Sequence, residues 1–142
     1  VALPSTRRSE EHPCRVVFCR DVTAQEEAQM RLRTLSMAVE QSPVGVMVTD
    51  PEGAIEYANG RFVEIVGYPL EELLGARPRI LLSDKTPDST YEELWRTILA
   101  GRIWRGEILS RRKDGCEYWA DVRIAPLRDD GGRIVKFVGF LD

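Results

Sequence analysis

"IWRGEILSRRKDGCEYWADVRIAPLRDDGGRIVKFVGFLD", residues 103–142, is the stretch whose reading decides the fold. The turn sequences "KDG" at 113–115 and "RDDGG" at 128–132 separate three runs that alternate in polarity. Period-two alternation is the pattern of a half-buried strand, and Asp-Gly between two such runs is a hairpin signal. In the first run Trp104, Gly106, Ile108 and Ser110 fall on one face, and Arg105, Glu107, Leu109 and Arg111 on the other. In the second, Tyr118, Ala120, Val122 and Ile124 oppose Glu117, Trp119, Asp121 and Arg123. One face of this antiparallel sheet is mostly apolar and has to be covered.

The cover lies immediately upstream. "TPDSTYEELWRTILAG", residues 86–101, reads as a helix capped by Asp88 or Ser89 and stopped by Gly101. Its apolar face is Tyr91, Leu94, Trp95, Ile98 and Leu99. Residues 60–82 read as short helices broken by Gly67, Pro69, Gly75 and Pro78. Before them, "GVMVTD" and "AIEYAN" flank the turn "PEG" and form a further hairpin. The order predicts an α+β fold: a five-stranded antiparallel sheet covered by short helices on one face, with a small cavity between the layers. Trp95, Ile98, Ile108, Ser110 and Tyr118 bound that expected cavity. Trp95 and Trp104 also read as core aromatics, Tyr57, Phe62 and Tyr118 as packing, and "RRKDG" as solvated charge.

An N-terminal linker helix precedes this unit. Thr23 and Glu26 have the spacing of a capping box, and Asp21, Glu26 and Glu27 suit the positive end of a helix dipole. Ala28, Leu32, Leu35 and Val39 recur at spacings of four, three and four, a narrow stripe suited to a partner helix or a sheet edge. Two heptads do not hold a coiled coil alone, and Pro43 ends the helix. Further upstream, "VVFC" at 16–19 reads as a buried strand without an evident partner, whose open edge offers a route to a second chain.

Composition removes several function classes. With 142 residues, 43% hydrophobic and 30% charged, the chain is an ordinary globular one of a single domain plus an extension. A net charge of −3 gives no reason to expect nucleic acid or an anionic membrane. No apolar run approaches the roughly 18 residues of a membrane helix, and the N-terminus has no signal-peptide pattern. Cys14, Cys19 and Cys116 have no framework spacing, so reduced thiols in a cytoplasmic setting are expected: two buried small hydrophobes and one turn thiol. The single His12 makes no metal site with Cys14. There is no nucleophile–base pair, metal cluster or phosphate loop, so the domain itself is not expected to be an enzyme.

Residues 37–142 resemble the PAS domain family, through "AVEQSPVGVMVTDPEGAIEYANGRFVEIVGYPLEELLG", "LW" at 94–95, "IWRGEI", "RRKDGCEYWADVRIAPLRDDGG" and "VGFLD" in that order. The resemblance implies a sensor or relay module of a bacterial multidomain signalling protein, such as a two-component histidine kinase or a cyclic-dinucleotide enzyme. In that family the last strand ends in Asp-x-Thr and runs into a linker helix, and "VVFCRDVT" matches such an ending. The implied division is residues 1–20 as the tail of a preceding PAS domain, 21–41 as a linker and dimerisation helix, and 42–142 as the PAS domain. The chain starts without Met and reads as a fragment of a longer parent, itself cytoplasmic, with a membrane segment elsewhere in the parent left open.

The family's chemistries make separate demands. In light-oxygen-voltage (LOV) domains the reactive cysteine slot falls on Pro78, the flavin-binding Asn pair on Ser110 and Ala120, and the last-strand Gln on Phe140. LOV-type FMN is therefore not expected. Histidine-ligated haem is not expected either, because residues 87–101 contain no histidine. The nearest resemblance is to FAD-holding PAS domains without a cysteine, where Trp95 would lie beside the flavin. Their polar contacts fall on Pro78 and Ser110, which lack an amide's donor and acceptor. Three readings stay open: a ligand or redox sensor with FAD as one candidate, a ligand-free relay that homodimerises through Ala28, Leu32, Leu35 and Val39, and an enzyme as the least supported. The partners implied are a second copy and adjacent PAS and effector domains, with no nucleic acid and no direct membrane contact.

Overall fold

The computed structural model describes residues 13–142, with side-chain surroundings from residue 23 onward. Helix α1 spans Pro13–Glu40 and is followed by strands β1 (Gly45–Thr49) and β2 (Ile55–Ala58). Short helices α2 (Gly60–Val66) and α3 (Leu70–Leu73), a 3-10 turn (Pro78–Leu81) and helix α4 (Asp88–Leu99) come next. Strands β3 (Trp104–Arg111), β4 (Glu117–Arg128) and β5 (Ile134–Leu141) complete the chain. The part of α1 up to Ala38 forms one compact unit and Val39–Asp142 another.

The sheet is antiparallel, in the order β2-β1-β5-β4-β3. The last strand is thus central, and it joins the N-terminal hairpin to the β3–β4 hairpin. One row of register partners crosses four strands: Met47, Gly139, Ile124 and Trp104. This row faces the helices. A Cβ on Gly139 would lie 3.0 Å from Met47 Cε, so the glycine leaves room for that side chain. Likewise a Cβ on Gly106 would lie 2.8 Å from Trp104 Cη2. The Trp-x-Gly spacing is therefore a packing device: the indole folds over the residue two along on its own face.

The apolar residues gather in two groups. Ile55, Phe62, Val66 and Leu73 lead the first, beneath α2 and α3. Leu94 and Ile98 of α4 pack on Trp104, Ile108, Ile124 and Phe137 in the second. Burial of this kind stabilises by about 25 cal/mol per Å² of apolar surface removed from water. A loop meets each sheet edge at one point. On β2, Ile55 N–H donates to Ala76 O at 2.9 Å and Gly75 N–H donates to Ile55 O at 2.8 Å. On β3, Leu82 bridges Ser110, and Ser83 N–H and Thr86 Oγ1 donate to Leu109 O at 3.0 and 2.6 Å.

Four expectations need correction. Residues 16–19 belong to α1, so there is no strand there and no open edge; the rest of the proposed tail, 1–12, lies outside the described residues. Helix propagation is cooperative, whereas a four-residue strand requires a ladder partner. For the same reason Thr23 and Glu26 sit inside α1 and do not cap it. Helix α4 starts from Pro87, with no side-chain cap from Asp88 or Ser89, and Leu99 is exposed. Finally, "RRKDG" does more than carry solvated charge. Arg112 Nη1 donates to Glu64 O and Ile65 O at 2.8 and 2.6 Å, near the carbonyl end of α2, and Lys113 pairs with Glu72. Cys116 is an exposed free thiol, while the surroundings of Cys14 and Cys19 lie outside those described.

Candidate functional site

A cavity of about 80 Å³ lies between the sheet and the helices, lined by members of both apolar groups. Trp95, Ile98, Ile108, Ser110 and Tyr118 all line it. Helix α4 supplies Leu94 and Ile98, each one turn apart, and the β3–β4 pair supplies Ile108, Ser110 and Tyr118 from alternate positions. Room on this scale suits a few waters or a small organic molecule. Trp95 meets Phe137 edge-on, with centroids 5.8 Å apart at 86°, and meets Tyr91 in the same manner at 6.3 Å and 73°.

The indole of Trp95 also rests on the β1–β2 turn. Asp50 Oδ1 accepts from Glu52 N–H and Ala54 N–H at 3.0 and 2.9 Å, and Arg77 Nη1 donates to Glu52 O at 2.6 Å. Gly53, at φ +97°, is thereby held against the ring: a Cβ there would lie 2.6 Å from Trp95 Cη2.

Hydrogen-bonding groups are sparse in the cavity. Thr49 and Ser110 are buried, and each donates to a nearby carbonyl, Asp50 O at 3.0 Å and Ile108 O at 3.3 Å. Tyr118 stands directly opposite Ser110 across β3–β4, and its buried hydroxyl has no hydrogen-bond partner. Burial pushes the Tyr118 pKa up, opposed by the charge of Arg112 and the nearby Ser110 hydroxyl. Outside the cavity, Ser83 donates to Glu117, and this bond, with Lys85 at 3.0 Å, holds the Glu117 carboxyl below its ordinary range.

A second cluster, which sequence reading missed, joins the last turn of α1 to the sheet. Asn59 is fully buried between β2 and α2. Its Oδ1 accepts from Val46 N–H at 2.9 Å and Phe62 N–H at 3.0 Å; its Nδ2 donates to Val39 O at 2.7 Å and Val44 O at 3.1 Å. Beside it, Glu40 accepts from Tyr57 Oη and from Gly60 N–H. The signal was present in "AN" directly before a helical run, since Asn is a preferred N-cap. Its bonds to Val39 and Val44 were not legible, because they depend on where the preceding helix ends.

Burial and the Glu40 carboxylate push the Tyr57 pKa from 10.0 up to about 12. A folded-state value above the unfolded one means Tyr57 stabilises the fold fully below pH 10, and that contribution fades as pH rises from 10 towards 12. Tyrosinate absorbance in wild type minus Tyr57→Phe is expected to show one phenol titrating late. If that difference titrates at the value of a free tyrosine, the Glu40 contact does not persist in solution.

The remaining candidate residues are placed as follows. Ala28, Leu32 and Leu35 are exposed, and Val39 is 37% exposed with its carbonyl engaged by Asn59. Pro78 lines the cavity, and Ala120 is buried in the sheet. Phe140, however, pairs with Val46 and Arg123 on the face opposite Gly139 and Met47, and is 39% exposed. The last-strand slot facing the helices is therefore Leu141, one residue on, because strand faces alternate. Among the described residues, no three of His, Cys, Asp and Glu converge to hold a metal, and no helix is long and apolar enough to cross a membrane.

Comparison with known proteins agrees with this architecture. Residues 33–142 match the family described as PAS fold. A nitrogen fixation regulatory protein of Klebsiella oxytoca is 38% identical over 100 residues, covering 70% of this chain and 20% of that protein. A blue-light-activated histidine kinase of Rhizobium johnstonii is 32% identical over 112 residues, 77% of this chain and 32% of that protein. The chain thus spans a third or less of these relatives. A solved structure titled "Flavin Analogue Sheds Light on Light-Oxygen-Voltage Domain Mechanism" superposes with TM-score 0.70 at 29% identity, covering 77% of this chain and 83% of that one. These similarities set the chain beside LOV proteins as well as the nitrogen-fixation regulator. They count against the expectation that LOV-type FMN is excluded, and they do not single out the FAD-holding subtype.

Proposed function

The chain belongs to the PAS fold family, and from that premise we propose that it is a sensory and relay module of a larger signalling protein, with residues 42–142 as the sensor and 21–41 as its linker. The PAS fold is a sensory, non-catalytic one. Its output, on this reading, is altered packing of α1 against α1 of a second copy, passed to an effector such as a histidine kinase. Residues 1–20 as the tail of a preceding module have less support, since 13–20 are helical.

The observation that carries this reading is the Asn59 junction. One side chain holds the β1 amide of Val46 and the α1 carbonyl of Val39 together. A displacement of β1 or β2 therefore reaches the last turn of α1 directly. Occupancy of the cavity moves the inner row of the sheet, and the two arrangements of the junction then shift in population. Differential affinity for those arrangements sets how large the shift is.

Flavin is the second reading, favoured by similarity to the light-oxygen-voltage domain structure whose title names a flavin analogue and by Trp95 on the cavity wall. Thr49, Tyr91, Ser110 and Tyr118 are the lining hydroxyls, and a three-ring system requires more room than the present volume of about 80 Å³. A visible spectrum of purified protein, followed by mass analysis of released material, separates this reading from the first.

The dimer test uses the exposed stripe. Leu32→Asp with Leu35→Asp is expected to raise the dimer dissociation constant at least ten-fold, read by light scattering across a dilution series. An unchanged oligomeric state would remove α1 from the proposed output.

A further inference from the structure

We propose that the cavity binds a small, largely apolar ligand through a single hydrogen-bond acceptor, a carbonyl or ether oxygen, presented to the hydroxyl of Tyr118. This rests on the sensory reading above and specifies the ligand chemistry that the site selects. Three observations lead to it.

First, the Tyr118 hydroxyl is shut off from solvent and has no partner. Buried polar atoms in native proteins are nearly always hydrogen-bonded, and an unpaired one calls for a water, an ion or a ligand. Second, Tyr118 is among the residues that line the cavity, packed against the apolar group under α2 and α3, while Leu94 and Ile98 of α4 line it from the other group. Third, the other buried hydroxyls of the lining are already engaged, Thr49 and Ser110 each donating to a backbone carbonyl, and most of the remaining lining is apolar.

The chemistry follows from that inventory. With burial opposing its ionisation, Tyr118 is a neutral phenol across the physiological range, and so a donor. An acceptor satisfies it. A charged group does not belong here, because no lining residue carries a compensating charge. The ligand body meets Trp95, Phe137 and Ile98, which favours a flat or compact hydrocarbon frame. An apolar site with one convergent donor discriminates strongly for the analogue that carries the matching acceptor, because the donor is otherwise left unpaired.

The test compares two isosteres, acetophenone and α-methylstyrene, which differ in a carbonyl oxygen against a methylene. Binding is measured by calorimetry or ligand-observed NMR on wild type and Tyr118→Phe, with far-UV circular dichroism to establish that both are folded. The expected result is that Tyr118→Phe weakens acetophenone about ten-fold and leaves α-methylstyrene unchanged. The carbonyl stretch of bound acetophenone, read by infrared difference on wild type, is expected below its value in hydrocarbon solvent. That reading does not depend on the variant. An unshifted carbonyl, or an equal effect of the substitution on both probes, overturns the assignment to Tyr118 and leaves the cavity as a binding site; Tyr118 then pairs internally with Ser110. Failure of both probes to bind wild type overturns the assignment and the ligand-sensing reading together.

Discussion

Asn59→Ala is expected to lower the stability of the unit Val39–Asp142 by about 3–5 kcal/mol, the largest effect of any single polar substitution in this domain. Asn59 uses both acceptor positions and both donor hydrogens, at 2.7–3.1 Å, with no exposed surface. Alanine removes the N-cap of α2 and leaves two N–H groups and two carbonyls around a small void. Each buried unpaired group costs about 1–3 kcal/mol, less where water enters. Asn59→Asp separates the two halves of the network. It retains an oxygen for the Val46 and Phe62 amides but sets a carboxylate against the Val39 and Val44 carbonyls. The Asp variant should keep the α2 cap and lose the tie to α1, which hydrogen exchange at residues 39–44 would report. A loss below about 1 kcal/mol on Asn59→Ala by denaturant titration would mean that the junction is not a structural lock.

Gly53→Ala is expected to cost about 2–3 kcal/mol, from two sources. The backbone at φ +97° lies in a region that L side chains rarely adopt. In addition, the new methyl would sit 2.6 Å from the Trp95 ring, which must retreat. The sources separate in a double-mutant cycle with Trp95→Phe, whose smaller ring relieves the contact but not the dihedral strain. A coupling near 1 kcal/mol is expected, and additivity within about 0.5 kcal/mol would show that ring and turn are independent. If they are coupled, the β1–β2 turn senses the position of Trp95, and the route from cavity wall to Asn59 runs along β2.

The sheet was readable from the sequence because alternation is a local property. Trp104 through Ser110 and Tyr118 through Ile124 announce their inner faces without knowledge of the rest of the chain. The five candidate cavity residues come together for the same reason, since inward positions of a covered sheet must meet the covering helix. Other features depended on tertiary placement. "VVFC" has β-forming composition but lies in a helix of 28 residues, whose propagation overrides four local preferences. Phe140 was misplaced by one residue, and on a strand one residue is the difference between the two faces. Arg112 looked like surface charge because its partners, Glu64 O and Ile65 O, are distant in sequence. The lone donor of Tyr118 has no sequence signature, because an unmet valence exists only once the neighbours are in place.

The loops at residues 75–76 and 82–86 occupy the outer backbone groups of Ile55 on β2 and of the Leu109–Ser110 end of β3. Such proteins are often strung as several near-identical modules, where the standing hazard is that one copy's strand completes another's sheet. Loop cover at a point on each border hinders that exchange. A module whose borders are partly covered can be duplicated, moved or fused with less risk of entangling its neighbours.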